Sequence, residues 1–274
     1  MENDATHRKL YERILREVKE RNYAAVPFAL SHEELSSAAE QYLGFLKIDQ
    51  PTKEKFYCVL DHKDDASQIG YVRRKQEELS YGTLDDKEYF HFNEHADEKF
   101  APLLTGGVEV ASFWSQAKKI YVAARSAFAE IMYAMETEFP GIYHEFFPPG
   151  KRPKFYLRFL KYNVRGLGGT LARGHYDRGG FTLALAESDP GLRMGKNDKN
   201  LKEVEHKRGH AIFMPALKAP KITSPEFHPT WHDVIQKREV KPGEETARWA
   251  IVFFADPYNM EPVSAVETHT PIAT

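Results

Sequence analysis

A histidine and an aspartate stand two residues apart in Gly174-His175-Tyr176-Asp177. On a strand, residues i and i+2 project from one face, so both side chains can reach one metal ion. The tripeptide alone is weak, because His62-Lys63-Asp64 and His95-Ala96-Asp97 repeat it in a chain with 12 histidines. Context singles out the segment at 175. Gly179 and Gly180 follow it, then the apolar run Phe181-Thr182-Leu183. His232, in Trp231-His232-Asp233-Val234, comes 55 residues after Asp177, and Arg248 comes 16 residues after His232 and opens the run Arg248–Phe254. Neither other tripeptide is followed by such a run, and His62 lies in a charged stretch. His175, Asp177 and His232 are therefore the predicted metal ligands.

Two histidines and one carboxylate on one face of an octahedral ion leave three positions open, the arrangement of non-haem Fe(II) oxygenases. A bidentate 2-oxo acid fills two of them and O₂ the third. Its decarboxylation leaves an oxidant able to take hydrogen from a C–H bond. The far carboxylate of the oxo acid needs a cation in a partly buried pocket. A planar guanidinium suits that better than an ammonium, which makes Arg248 the candidate. Because Asp177 supplies a carboxylate ligand, its position is not free for chloride, and a halogenase is disfavoured.

Other constellations read less well. His228 competes with His232, but His232 keeps the local pattern and precedes the β-like pair Val234-Ile235. His206, His210, His228 and His232 form two His-x-x-x-His pairs, which on helices could bind zinc. Glycine and proline nearby argue against helices there. Cys58 reads as a small hydrophobe. No Gly-x-Ser-x-Gly elbow is present, so a serine hydrolase is unsupported. Gly166, Gly168 and Gly169 are not followed by a helix signal and do not make a phosphate loop.

The elements that must position these residues differ between the two halves. Residues 1–150 read as mostly helical. Ala24 to Leu30 is one strand broken by Pro27, and Ser31 with Glu34 makes a capping box. Leu35, Ala38, Ala39, Tyr42 and Leu43 mark the core face of the helix behind it. Asp61 to Asp86 is polar and irregular and reads as loop-rich. A long helix is predicted over Val110–Phe139, its stripe running from Phe113 through Tyr121 and Phe128 to Met135 and Phe139. From residue 151 to 274 short apolar runs alternate with Gly, Pro, Asn and Asp clusters, which suggests a β-barrel or sandwich rather than βαβ units. Lys196 to Asn200 reads as a solvated hairpin turn.

The chain has 274 residues, enough for one or two domains and a large core. With 42% hydrophobic and 28% charged residues it is not of disordered or collagen-like composition. A net charge of −2 without a basic tract predicts neither a nucleic-acid partner nor an anionic membrane surface. One cysteine excludes an intramolecular disulfide and a zinc ribbon and favours a reducing, cytoplasmic setting. No apolar run approaches the ~18 residues of a membrane helix. The charged stretch from Met1 to Glu20 lacks a signal peptide's apolar middle.

Together these motifs resemble the isopenicillin N synthase-like branch of the 2-oxoglutarate/Fe(II)-dependent oxygenases, over most of the chain. Leu157 to Tyr162 looks like the strand before the metal motif, and Gly174-His175-Tyr176-Asp177 matches the first ligands. Phe181 to Leu185 and Gly191 to Met194 match the two segments that follow, and Trp231 to Val234 resembles the distal-ligand segment. Pro51 to Phe56 and Lys87 to Phe92 look like the family's helical N-terminal region. The resemblance implies a mixed α and β chain with a mainly β core, a double-stranded β-helix (jelly roll) with flanking N-terminal helices, in a single domain spanning 1–274. It implies Fe(II), 2-oxoglutarate and O₂, with oxidation of a small organic molecule, most simply hydroxylation, and release of succinate and CO₂.

By the same resemblance Tyr162 falls where a tyrosine hydroxyl contacts 2-oxoglutarate. The alternation Tyr156, Arg158, Leu160, Tyr162 puts these side chains on one face. If that face is the barrel interior, Arg158 is a cation near the metal and points to an acidic or amino-acid-like substrate. If it faces outward, Arg158 pairs with an acid on the surface. Tyr156, Arg158 and Phe254 are the candidate substrate contacts. The chain departs from the family pattern in three places. Arg248-Trp249-Ala250 stands where Arg-x-Ser is usual, which removes one hydrogen bond worth ~1 kcal/mol. Met214 to Pro220 replaces the usual segment before the distal histidine, and Gln236 to Thr246 is a charged insert that lengthens a surface turn. Three rivals stay open: an iron oxidase or oxidative cyclase without 2-oxoglutarate, a non-catalytic jelly-roll binding protein, and a zinc or manganese cupin-like enzyme.

Overall fold

The computed structural model describes residues 2–62, 67–74, 78–79, 82–83, 85–105, 107–225 and 227–272. Lys63 and Asp64 of the His62 tripeptide lie outside the described residues. The elements run α1 (Glu2–Arg21), β1 (Ala24–Pro27), α2 (His32–Phe45), α3 (Gln50–Glu54), β2 (Tyr57–Val59), β3 (Gln68–Arg74), β4 (Glu78–Leu79), β5 (Gly82–Thr83) and β6 (Lys87–Phe92). Then come α4 (Glu94–Phe100), α5 (Val108–Met135), α6 (Ile142–Phe146), β7 (Lys154–Asn163), β8 (Thr170–His175), β9 (Phe181–Glu187) and β10 (Leu192–Gly195). The chain ends with β11 (Lys202–Glu203), β12 (His210–Pro215), α7 (Ala219–Ile222), β13 (Trp231–Ile235), β14 (Thr246–Asp256) and α8 (Ala265–Thr268).

The predicted cap at α2 forms in full. The Ser31 hydroxyl accepts from the Glu34 amide at 3.2 Å, and the Glu34 carboxylate accepts from the Ser31 amide at 2.8 Å. Such a cap is worth ~1 kcal/mol. The helix buries Leu35, Ala38, Ala39, Tyr42 and Phe45, with Phe45 rather than Leu43 completing the face. In α5 the predicted stripe from Phe113 to Met135 is buried, while Phe139 lies just past the helix and is half-buried against the same core. Among the described residues no helix is long and apolar enough to cross a membrane.

Twelve strands form two antiparallel sheets. The larger has the order β1-β12-β9-β14-β7-β6-β3-β2, the smaller β11-β10-β13-β8. Period-two alternation gives each face of the larger sheet its own task. On β7, Phe155, Leu157 and Phe159 join the core under the helices, where Phe159 meets Tyr42 and Phe113. Leu160 and Tyr162 join a second core with Leu171, Leu192, Met194 and Val234 of the smaller sheet. The layers are therefore helices, large sheet and small sheet.

Two expectations about the first half are corrected. Asp61–Asp86 contains β3, a full strand paired with β2 and β6. Lys87–Phe92, which the resemblance placed in a helical region, is strand β6, paired with β3 and β7. All six residues of β6 are buried, so the strand lacks the polar–apolar alternation that would betray it. At Gly70 in β3 a side chain is excluded: φ is +87°, and a Cβ would sit 1.8 Å from the Phe56 carbonyl oxygen. Lys196–Asn200 does connect β10 to β11 as a turn, with Asn197 tucked inward.

Candidate metal centre

Strands β8 and β13 run antiparallel with His175 directly opposite His232. Asp177 lies two residues beyond His175, just past the end of β8. The neighbours of the two histidines lock this register. A Cβ at Gly174 would come within 2.7 Å of the Trp231 indole, so only glycine admits that ring. Trp231 also meets the Tyr176 ring edge-on at 4.8 Å.

The donor atoms converge. Nε2 of His175 and Nε2 of His232 each lie 3.8 Å from Asp177 Oδ1, and the two imidazoles are 4.2 Å apart between centroids. Two metal–ligand bonds of about 2.1 Å can span such a separation. The other ring nitrogens are engaged: Nδ1 of His175 donates to the Arg173 carbonyl at 2.8 Å, and Nδ1 of His232 donates to the Thr230 carbonyl at 3.1 Å. A carbonyl only accepts, so both imidazoles carry their proton on Nδ1 and leave Nε2 as a lone pair. The Thr182 hydroxyl donates to Asp177 Oδ2 at 2.7 Å, which leaves Oδ1 for the shared point. Burial and the neighbouring His232 hold the His175 pKa down at about 3, so its ring is neutral. Burial pushes the Asp177 carboxyl up, but His232, the Thr182 hydrogen bond and Arg158 outweigh that and the net shift is downward. Two imidazole nitrogens and one carboxylate oxygen suit a divalent metal such as Fe(II). Among the described residues this is the one such cluster.

Two cavities meet at the cluster. An inner one of about 60 Å³ is bounded by His232, Tyr162, Arg248, Ala250 and Glu187. An outer one of about 170 Å³ is bounded by Tyr156, His91, Arg178, Lys218 and His269. His175, Asp177, Lys87, Arg158 and Phe254 line both. The space between the sheets is thus divided at the His175–Asp177–His232 cluster.

At the inner end Arg248 is buried. Its Nε donates to the Asp189 carbonyl at 3.0 Å, and its Nη2 is bound by the Glu187 carboxylate. The guanidinium lies 6.0 Å from the Tyr162 ring. Burial pushes the Tyr162 hydroxyl up to about 12, so it is a neutral donor. At the junction Arg158 lies on the interior face. Its Nε donates to His91 Nε2 at 2.6 Å, and its guanidinium sits over the Phe254 and Tyr89 rings at 4.6 and 5.0 Å. Burial and Arg158 hold the His91 pKa well below the usual imidazole range, so this partner is neutral. Tyr156 stacks on His91 at 5.7 Å. Of the two readings of Arg158, the interior one matches its position.

The other histidines weighed as ligands lie elsewhere. His95 is exposed beside Arg152, His206 bonds the Ala184 carbonyl, and His210 bonds the Arg208 carbonyl. His228 is not in the cluster. The sequence reading missed Thr182, Glu187, Lys87 and His91. Thr182 carried a signal, since it follows the glycine turn after Asp177. Lys87 and His91 sit on the unrecognised strand β6. Glu187 becomes visible only through strand pairing, where it lies opposite Ala250.

No protein-family model and no curated sequence matches the chain. Solved structures do. A full-length Neurospora crassa protein in complex with alpha-KG superposes with a TM-score of 0.70 at 15% identity, over 92% of this chain and 80% of that one. JOX2 in complex with 2OG, Fe and JA gives 0.68 at 17%, over 94% and 75%. AtDAO1, a dioxygenase for auxin oxidation from Arabidopsis thaliana solved with 2-oxoglutarate, gives 0.67 at 16%, over 93% and 91%. At these identities the likeness is one of fold: the chain is a mixed α and β protein with large antiparallel sheets, built like 2-oxoglutarate/iron oxygenases of known structure.

Proposed function

We propose that the protein is a 2-oxoglutarate-dependent Fe(II) dioxygenase that oxidises a small organic acid. The observation that carries this reading is the convergence of two Nε2 lone pairs and one carboxylate oxygen between a buried arginine and a second, open cavity. On this reading His175, His232 and Asp177 hold Fe(II), the locked Nδ1 protons keep the imidazoles aimed, and Thr182 keeps Asp177 from rotating. Bound iron with 2-oxoglutarate and O₂ supplies the oxidising power for an unactivated C–H bond. Arg248 and Tyr162 hold the far carboxylate of 2-oxoglutarate in the inner cavity. The apolar walls around them exclude water and strengthen that contact.

The outer cavity receives the substrate. Lys218 is ion-paired with Asp256, and Lys87 with Asp85. Arg158 instead donates to the neutral His91, so its charge is available to an anionic group. That supports a carboxylate-bearing substrate packed against Phe254 and Tyr156. Structural neighbours have been solved with thymine, 5-formyluracil and JA, so the fold accommodates diverse small molecules. We further read the chain as one domain with a jelly-roll core in the cytoplasm. Strand β1 of the first half pairs with β12 of the second, which favours the single unit. Product analysis tests the reading: iron-loaded protein with 2-oxoglutarate and O₂ should release succinate and CO₂ in equal amounts. Oxygen uptake without succinate would instead favour an oxidase that needs no oxo acid, a rival that Glu187 on Arg248 also fits.

A further inference from the structure

The inner cavity already contains a carboxylate. Glu187 ends β9 directly opposite Ala250 of β14, the position where the family's serine is replaced. Its side chain is 9% exposed and bound to Nη2 of Arg248, while the Asp189 carbonyl takes Nε. One lateral edge of the guanidinium is therefore saturated by the protein itself. A second carboxylate must share the remaining donors around Nη1. It must also approach Glu187 in a cavity with little water to screen the two like charges. His206 Nδ1 lies 3.5 Å from Glu187 Oε1, on the acid's other side. Burial pushes the Glu187 carboxyl up, but Arg248 outweighs that and the net shift is downward.

We infer that Glu187 is a specificity-determining residue for the oxo acid: by occupying Arg248 it lowers the advantage of a distal carboxylate and widens the range of 2-oxo acids the inner cavity takes. This rests on the oxygenase reading above. A 2-oxo acid such as 2-oxovalerate keeps the metal-chelating end but lacks the distal charge, so it avoids Glu187. Wild-type protein should then bind 2-oxoglutarate less than about tenfold more tightly than 2-oxovalerate, because the two carboxylates compete for one guanidinium. Replacing Glu187 by an uncharged isostere removes the competitor while keeping a hydrogen-bonding group beside Arg248.

The test is an anaerobic titration of Fe(II)-loaded wild type, Glu187→Gln and Glu187→Asp with each acid, followed by the visible charge-transfer band. Glu187→Gln should widen the 2-oxoglutarate to 2-oxovalerate preference by about tenfold or more, through tighter 2-oxoglutarate with 2-oxovalerate unchanged. Glu187→Asp, which withdraws the carboxylate by one methylene, should move the ratio the same way by less, and it serves if Glu187→Gln does not fold. An unchanged or narrowed ratio in whichever variant folds overturns the inference. So does a wild type that already prefers 2-oxoglutarate by a hundredfold or more, about 2.7 kcal/mol. A purely structural role would shift both acids together and also overturns it. If neither acid binds any iron-loaded form, the oxygenase reading itself falls and takes this inference with it. That result differs from a changed ratio because both acids are lost.

Discussion

At the residue scale, the side chains that touch His175, Asp177 and His232 matter as much as those three. Asp177 has two oxygens, and Thr182 commits one of them. Thr182→Val should therefore weaken metal binding by about 10- to 100-fold with little change in thermal stability, read by competition with a chelator of known affinity. Equal affinity in the variant would mean that Asp177 is held by packing alone. Arg248→Ala should raise the 2-oxoglutarate concentration needed for half-maximal turnover while leaving Fe(II) affinity unchanged. A variant with unaltered dependence on 2-oxoglutarate would show that another cation holds the distal carboxylate. The His175–Asp177–His232 cluster was legible because histidine and aspartate two apart, between glycines and ahead of an apolar run, form a distinctive local pattern. Glu187 was not, because nothing in its own segment marks it. Only the pairing of β9 with β14 sets it opposite Ala250 and on Arg248.

At the scale of elements, the site depends on the register of two short strands. His175 faces His232 because β8 and β13 pair with those residues opposed. The Gly174–Trp231 contact is the wedge that sets their spacing. Gly174→Ala should destabilise the fold by about 1–3 kcal/mol, because the added methyl has no room beside the indole. It should also weaken metal binding, since the displaced indole adjoins His232. Denaturant unfolding and metal titration on one sample check both effects, and wild-type values for both would remove the wedge from the account. The short strands of the second half were readable from the Gly, Pro, Asn and Asp clusters between them. Strand β6 was not, because burial on both faces erases alternation and leaves aromatic residues compatible with helix or strand. That strand brings Lys87 and His91 to the cavities, so the missed element carried the missed residues.

At the scale of the whole molecule, the first half is joined to the large sheet by a buried charge cluster. Glu88 on β6 accepts from the Tyr71 hydroxyl at 2.6 Å and from Lys161 at 3.1 Å, with Lys53 of α3 at 3.9 Å. Burial raises the Glu88 carboxyl pKa, but Tyr71, Lys161 and Lys53 outweigh it and the net shift is downward. A lowered carboxylate pKa stabilises the fold above the ordinary value of about 4.3, and that contribution is lost as pH falls through the folded value. The melting temperature should therefore hold between neutral pH and about 5 and decline in more acid solution. Glu88→Ala should cost about 3–5 kcal/mol at neutral pH, because it strands two buried lysines. It should also shallow the acid decline; a full acid decline in the variant would assign that decline to other carboxylates.

The oxygenase reading stands or falls on whether three side chains hold an iron that then takes an oxo acid. The decisive measurement is an anaerobic titration of metal-free protein with Fe(II) and then 2-oxoglutarate, with His175→Ala as the control. A saturable visible charge-transfer band at one equivalent of iron, absent from a folded His175→Ala variant, is the expected result. Iron bound without a band on adding 2-oxoglutarate, or a band that survives in His175→Ala, would contradict it.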